Sequence, residues 1–362
     1  RYKVLLTEAG GGQSCLDWIA LNRWPDDAVE DAHGFFIYLR DVDAGELWSA
    51  TLQPVVGDLE NVSTKATQTE VEFAHHRHGI RSTLNISVRT DCDAEQRRLV
   101  VRNESDRPRT IEVTSYIEVA LAHPMGDLGH PAFSKLFVQT EFAKHRHTLV
   151  AKRRPRSAGE SWPAMFHALI GAEVDACETD RVKFIGRGRI AARPAMRMEN
   201  TVGNVLDPVF SLRTTLTLQP GEEREIAFVL GAVADLAQVD AVLANLGLPL
   251  AEAPLLPIKG EPSATVFEHG FNEDYSEYRM RLPWQGDQLA LPPMPWINVL
   301  ANDHFGCLIS ETGASCTWSQ NSQANRLTPW SNDPVGDPHG EALYLRDEET
   351  REFWSPLPGP CP

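Results

Sequence analysis

The sequence predicts an all-β protein: a large antiparallel sandwich followed by a second, partial copy of the same domain. Three observations carry this. Apolar and polar residues alternate with a period of two over many short runs, which puts one face of each strand inside and one outside. Polar turn signals separate the runs at short intervals, so consecutive strands pair as antiparallel neighbours. The third is an internal repeat: HGFFIYLRDVDAGELWS, His33 to Ser49, returns as HGEALYLRDEETREFWS, His339 to Ser355.

The repeat fixes the organisation before any propensity argument. His33, Gly34, Tyr38, Leu39, Arg40, Asp41, Glu46, Trp48 and Ser49 recur 306 residues later. Upstream, Glu8, Gly10, Asn22 and Arg23 recur at a shift of 303, so three residues are inserted in the loop between. A period this long means two copies of one domain, not a solenoid. The boundaries read as a sandwich over 1–247, a linker over 248–263 and the opening part of a second sandwich over 264–362. The second copy passes the motif and stops, so the chain reads as a piece of a longer protein.

The strand runs are Thr83–Thr90, Gln96–Arg102, Arg109–Val119, Ala164–Ile170, Val209–Leu218 and Arg224–Leu230. Between them lie the turn signals His78-Gly79, Asn103 to Pro108 and Gln219 to Glu222. One helix is expected, Asp235 to Leu246, with Asp235 as cap and Gly247 at its C-terminal end. Pro249, Pro254, Pro257 and Pro262 make the following linker extended. In the second copy, Tyr275 to Leu282 alternates, and a strand ends at Leu289 to Pro293.

Composition narrows the function classes. A chain of 362 residues with 42% hydrophobic and 23% charged residues reads as soluble, globular and about two domains. No stretch is apolar for long enough to span a bilayer. The net charge of -16 argues against nucleic acid as a partner. The six cysteines, Cys15, Cys92, Cys177, Cys307, Cys316 and Cys361, form no CxxC pair and no zinc spacing, which favours isolated thiols in a reducing compartment.

Each motif has a bland reading beside its functional one. Asp41 and Asp347 follow an arginine at a strand end; repetition in both copies favours a turn cap or ion pair over a catalytic acid. His75, His76 and His78 border a hairpin turn without a completing Cys, Asp or Glu, so no metal is expected. Lys152 to Arg156 is a basic run that fits a solvated strand end better than a phosphate site. Gly186 to Arg189 and Gly10 to Gly12 lack the helix context of a nucleotide loop. No cofactor is expected. A sugar mutarotase acting alone would need a His and Glu placed for proton transfer, and no such pair is indicated.

The most site-like stretch is WSQNSQANRLTPWSND, Trp318 to Asp333. Sugars are held by aromatic faces against C–H patches and by planar amide, carboxylate and guanidinium groups that fix orientation. Trp318, Asn325, Arg326, Trp330 and Asp333 supply that set on one loop. The alternative is a loop tied down by its own side chains, with Trp318 and Trp330 in the core. The first-copy counterpart, Asp17 to Trp24, is more aliphatic.

An ordered series of segments carries a family resemblance. Pro295 to Asn302, Phe305-Gly306, Ser310 to Gly313, Asn325 to Pro334 and Gly340 to Asp347 together resemble the N-terminal sandwich of glycoside hydrolase family 94 (glycosyltransferase family 36-like), which holds cellobiose and chitobiose phosphorylases and part of the cyclic β-1,2-glucan synthases. His130 to Phe142, Arg153 to Arg156 and Phe184 to Gly188 look specifically like the cyclic β-1,2-glucan synthases. The resemblance implies a galactose-mutarotase-like supersandwich, followed in the family by an (α/α)6 barrel that carries the catalytic acid. No residue here matches that acid, because nothing here reads as a barrel. It also implies a parent glycosyltransferase at the cytoplasmic face of the bacterial inner membrane. Within it this region would be a non-catalytic carbohydrate-associated module, with a β-glucan or glucooligosaccharide, the adjacent barrel and a second subunit as partners. A structural spacer or dimerisation module is the competing expectation. The cut second copy is expected to add strands to the first sheet or to pair with a neighbouring molecule.

Overall fold

The computed structural model describes residues 1–27, 29–57, 62–143, 147–245, 268–271, 277–286 and 288–361. It divides into two compact units, one of residues 1–185 and 191–259, the other of residues 186–190 and 260–362. The expected linker, 248–263, lies outside the described residues.

In chain order the first unit contains β1 (Tyr2–Leu6), β2 (Gly12–Leu16), β3 (Ile19–Asn22), β4 (Phe35–Asp41), β5 (Leu47–Ser49), β6 (Val62–Ala66), β7 (Glu70–Arg77), β8 (Ile80–Val88), β9 (Ala94–Asn103) and β10 (Arg109–Ala122). Then follow α1 (Pro124–Gly129), α2 (Pro131–Lys135), β11 (Val138–Ala143), β12 (Thr148–Arg153), β13 (Ala164–Ile170), β14 (Ala176–Asp180), α3 (Arg181–Phe184), β15 (Pro208–Leu218), β16 (Glu223–Val233) and α4 (Gln238–Asn245). These strands make two eight-stranded sheets, antiparallel throughout. One runs β1-β2-β3-β10-β15-β14, with β4 beside β10 and β5 beside β4; the other runs β11-β12-β13-β16-β9-β8-β7-β6. This is the sandwich the alternation predicts.

The inner faces form the core. Ile111, Val113, Ile117, Val119 and Leu121 of β10 pack with Leu84, Leu99, Leu149, Phe210 and Phe228 in one cluster. Burying each such side chain stabilises the fold by about 1.5–3 kcal/mol. The hairpin between β7 and β8 turns on His78 (φ 54°) and Gly79 (φ 79°). Two left-handed residues in a row give the turn whose twist matches its strands.

The helices depart from the sequence reading. α1 to α3 are four to six residues long, too short to show a helical period. Prolines open α1 and α2, where a missing N–H costs nothing. The expected helix after Asp235 is present but starts later, at Gln238, because the Asp235 carboxylate caps a preceding turn by accepting from the Ala237 amide at 3.0 Å. Its Val239 and Leu243 cover the outer face of the second sheet, against Phe166, Ala168 and Val229. Gly247 lies outside the described residues.

The second unit contains β17 (Glu268–Phe271), β18 (Tyr278–Arg281), β19 (Trp284–Gln285), β20 (Gln288–Leu289), β21 (Ile297–Ala301), β22 (Phe305–Ser310), β23 (Ser315–Ser319), β24 (Leu345–Arg346) and β25 (Phe353–Trp354). Among the described residues these strands pair only with one another. Of the two outcomes expected for this segment, strand addition to the first unit's sheet or pairing with a neighbouring molecule, the first does not occur among the described residues. Each strand here finds its partner locally, in a hairpin or in the three-stranded β21-β22-β23 sheet.

The repeat is structural as well as sequential. In the first unit Tyr2 faces Leu16, Lys3 faces Cys15 and Leu5 faces Gln13. In the second, at a shift of 303, Phe305 faces Ser319, Gly306 faces Trp318 and Leu308 faces Cys316. The β4–β5 pairs Leu39↔Trp48 and Arg40↔Leu47 likewise return as Leu345↔Trp354 and Arg346↔Phe353.

Candidate functional site

The loop from Trp318 to Asp333 leaves β23 and returns alongside it. Trp318 forms a bridge with Arg326. The Trp318 ring lies over Gly306 on β22, where a Cβ would come within 2.4 Å of the indole. Arg326 donates from its guanidinium to the Trp330 carbonyl at 2.7 Å. Glu341 pins the loop from beneath, accepting from the Thr317 and Thr328 hydroxyls at 2.6 and 2.7 Å. Those hydroxyls hold the Glu341 carboxyl below the usual carboxylate range. Gly340 makes the close approach possible, since a Cβ there would lie 2.0 Å from the Pro329 oxygen. Composition did not mark out Glu341 or Gly340. Their signal was the contact they make across the loop.

Of the five expected contact residues, the structure brings together Trp318, Arg326 and Trp330, with Asn325 exposed beside them. The two indoles are half-buried, so neither is a fully enclosed core ring. Asp333 stands apart in role: its Oδ1 accepts from the amides of Val335 and Gly336 at 2.9 and 3.2 Å, a turn of its own making.

The first copy shows what two of these positions do inside a complete sandwich. Asn325 and Arg326 correspond to Asn22 and Arg23. Asn22 is buried; its Oδ1 accepts from the Ser14 amide at 2.6 Å and its Nδ2 donates to the Gly12 carbonyl at 2.9 Å. Arg23 is the start of a buried ionic chain. It forks onto Asp127 with two 2.8 Å bonds and lies 3.5 Å from Glu118; Arg181 joins Glu118 to Asp207, and Lys135 meets Asp207 at 2.6 Å. Tyr116 donates to Glu118 at 2.9 Å and stacks on Phe184. Burial works to raise the Glu118 carboxyl, but the charges of Arg181, His33 and Arg23 outweigh it and hold it well below the usual range. Burial lowers the Lys135 ammonium. Three cations alternate with three carboxylates, so the network balances its own charge. The hairpins also differ: Cys15 faces Ala20, whereas Trp318, in the place of Cys15, bridges to Arg326, in the place of Arg23.

The remaining motifs resolve into structural parts. The Asp41 carboxylate accepts from the amides of Asp43 and Ala44 and pairs with Arg109, not with the adjacent Arg40. The Asp347 carboxylate repeats the turn cap with the amides of Glu349 and Thr350. His75 is buried with Nδ1 on the Ser49 carbonyl, while His76 reaches Glu104 and His78 reaches Glu46. Lys152, Arg154 and Arg156 of the basic run are exposed, as a solvated strand end requires, while Arg153 is half-buried over the Phe137 and Trp162 rings and Arg154 and Arg156 also lie over Phe137. Lys144, His145 and Arg146 lie outside the described residues. Arg187 pairs with Glu311 at 2.9 Å. Glu311 also lines an open depression of about 450 Å³ with Met280, Leu282, Trp284 and Leu289. All six cysteines are free thiols, and burial pushes Cys177 up to about 12. No helix among the described residues is long and apolar enough to cross a membrane.

Comparison with known proteins agrees with this architecture. The chain is 35% identical over 251 residues to the cyclic beta-(1,2)-glucan synthase NdvB of Rhizobium meliloti, covering 67% of this chain and 9% of that protein. It is 26% identical over 266 residues to N,N'-diacetylchitobiose phosphorylase of Vibrio proteolyticus, covering 68% of this chain and 33% of that one. The chain thus spans a third or less of the length of these relatives. Among solved structures, a galactose mutarotase-like protein from Clostridium acetobutylicum aligns over 64% of this chain and 92% of its own, at 9% identity and a TM-score of 0.36. The family model for the glycosyl hydrolase 94 supersandwich domain matches residues 1–247 and again 282–362. The chain therefore belongs to the glycosyl hydrolase 94 supersandwich family.

Proposed function

We propose that this chain is a non-catalytic, carbohydrate-associated region of a cyclic β-1,2-glucan synthase-like glycosyltransferase or phosphorylase. Its glycan contact is the loop of Trp318, Asn325, Arg326, Trp330 and Asp333. The observation that carries the reading is a single loop on which two half-buried tryptophans and Arg326 are linked through the main chain, by the Trp318–Arg326 bridge and the Arg326 bond to the Trp330 carbonyl, with Glu341 bonded to Thr317 and Thr328. The ligand class is a β-glucan or glucooligosaccharide, a reading supported by the similarity to a cyclic beta-(1,2)-glucan synthase. An (α/α)6 barrel beside this region would complete the site and carry the chemistry; no residue here is assigned a catalytic role. Titration with β-1,2-glucooligosaccharides, followed by tryptophan fluorescence, tests it. The isolated loop is part of a site, so half-saturation is expected near the millimolar range, about -4 kcal/mol. No fluorescence change and no heat of binding at tens of millimolar would remove the glycan contact.

One observation favours a structural spacer instead. The first-copy counterparts of Asn325 and Arg326 are scaffold, buried in hydrogen bonds and ion pairs. On that reading Asn325 and Arg326 are scaffold positions too. Substituting Arg326→Ala then alters stability and leaves any sugar response unchanged, which separates the two readings.

A further inference from the structure

The helix pair that follows β10 is built inside out. α1 buries only Asp127, and α2 buries Ser134 and Lys135. The large apolar side chains face the other way: Met125 is 72% exposed, Leu128 48%, Phe133 47% and Leu136, at the C-terminal cap of α2, 45%. A surface helix ordinarily turns its apolar stripe inward. Here the inward side is committed to charge. Arg23 forks onto Asp127, Lys135 meets Asp207, and Arg153 donates to the Ser134 carbonyl at 3.1 Å and to its hydroxyl at 3.3 Å. Those bonds fix which way both helices face. The flanking strands β10 and β11 are paired in the first unit's sheets, so the exposure is not that of an open strand edge.

Arginines collar this face. The guanidiniums of Arg153, Arg154 and Arg156 lie 5.5, 6.0 and 5.9 Å from the centre of the Phe137 ring, and Phe137 meets Phe133 edge-on at 5.1 Å. Arg154 also donates to the Leu136 carbonyl at 2.8 Å. The carboxylates that act on Arg153 are Asp127, already forked by Arg23, and Glu160, which pairs with Arg156. In a chain of net charge -16 the collar is a local surplus of positive charge.

We infer that this face of the first unit is a docking surface for a lipid bilayer with anionic headgroups. Met125, Leu128, Phe133 and Leu136 enter the boundary between headgroups and acyl chains, and the arginines stay at the level of the lipid phosphates. Protruding apolar side chains with a cationic rim suit an anionic interface, where apolar burial and surface potential act together. Two observations set a glycan aside. The Phe133 and Phe137 rings stand at 76° and the His130 and Phe133 rings at 65°, so no broad flat face is offered to a sugar ring. The most exposed side chain of the face, Met125, is flexible and gives a hydroxyl no strong partner. A fluid bilayer needs no matching shape, which suits apolar tips standing on two short helices; a protein partner does need one. The inference does not rest on the glycan reading and stands if no sugar binds.

The test uses the full chain with vesicles of phosphatidylcholine alone and of phosphatidylcholine mixed with phosphatidylglycerol. The chain should sediment with the mixed vesicles and not with phosphatidylcholine alone, and less as salt screens the headgroups. Hydrogen exchange on the mixed vesicles should show new protection at residues 123–137. Leu128→Ser combined with Phe133→Ser should weaken binding at least about tenfold. Arg156→Gln should weaken it about fivefold. Thermal unfolding of the free variants should be unchanged; if the double variant unfolds, Met125→Ser takes its place. Soluble glycerol phosphate should neither bind nor compete, because it offers no apolar phase. Each of these results would overturn the inference: no sedimentation at about 1 mM lipid, equal binding to both kinds of vesicle, folded variants that bind as the parent chain does, protection at residues 297–305 in place of 123–137, capture of glycerol phosphate alone, or binding of soluble poly-glutamate that depends on Phe133, which would make the occupant an acidic polypeptide.

Discussion

At the residue scale, His167 shows how burial sets a pH limit on the fold. Its ring is fully buried, stacked between Phe210 and Phe228 and edge-on to Phe35. Nδ1 donates to the Val229 carbonyl at 3.0 Å, and Nε2 takes the Ser115 hydroxyl at 2.8 Å. Burial pushes its pKa down to about 3. The unfolded chain, with an ordinary imidazole, takes up a proton between pH 6.5 and 3 that the folded chain refuses. Stability contributed by the neutral ring is complete above pH 6.5 and is lost as pH falls toward 3, by about 2 kcal/mol at pH 5. Urea unfolding of the first unit at pH 7 and pH 5 should show this difference, and His167→Gln should remove most of it. Trp330 is the other residue to probe. If its half-buried ring serves binding, Trp330→Ala should abolish the sugar response and change stability by about 1 kcal/mol or less. A loss of several kcal/mol in thermal unfolding would make it a packing residue.

At the scale of the element, the twin hairpins form an internal control. Both aspartates cap the same turn, but Asp41 is buried against Arg109 while Asp347 is held within its own turn, by the amides of Glu349 and Thr350 and the Thr350 side chain. Removing one partner of a buried pair leaves an uncompensated charge. Asp41→Ala should therefore cost about 3–5 kcal/mol. Asp347→Ala should cost about 1 kcal/mol, the value of a turn hydrogen bond. Equal losses in denaturant titrations of the two variants would refute the assignment of the Arg109 pair. The same contrast explains why the aspartate motif could be read as a turn cap from repetition, whereas its true ionic partner could not. Arg40 is adjacent in sequence, but Arg109 is adjacent only across the β4–β10 ladder.

At the scale of the whole molecule, the two units should differ in protection. The first has both sheets closed over a shared core, and its central strands β9, β10 and β16 have neighbours on both edges. The second has small sheets with exposed Ile297, Val299, Leu300 and Phe305. Amides of β9, β10 and β16 should exchange through global opening, and those of β24 and β25 through much cheaper local opening. Hydrogen exchange followed by mass spectrometry measures this; uniform protection across both units would contradict it.

The sequence by itself determined the class of fold, the duplication and most central strands, Ala164–Ile170 to the residue. Alternation is a local signal and needs no partner to be read. It did not bound β3 and β4, which were read only as the strand end before Asp41 and as part of the repeat. It could not show α1 to α3, which are shorter than the period that identifies a helix. In the candidate loop, composition identified the aromatic and planar polar groups, yet not which were already engaged. Arg326 donates to the Trp330 carbonyl and Asp333 accepts from its own turn. Only tertiary structure decided those commitments, the ionic chain from Arg23 to Lys135, and the exposure of Tyr344 where Tyr38 is buried. The ionic chain and the burial of Tyr38 depend on residues distant in sequence, because burial and pairing are properties of what packs against a side chain, while the bonds of Arg326 and Asp333 are local but depend on a backbone turn that composition does not specify.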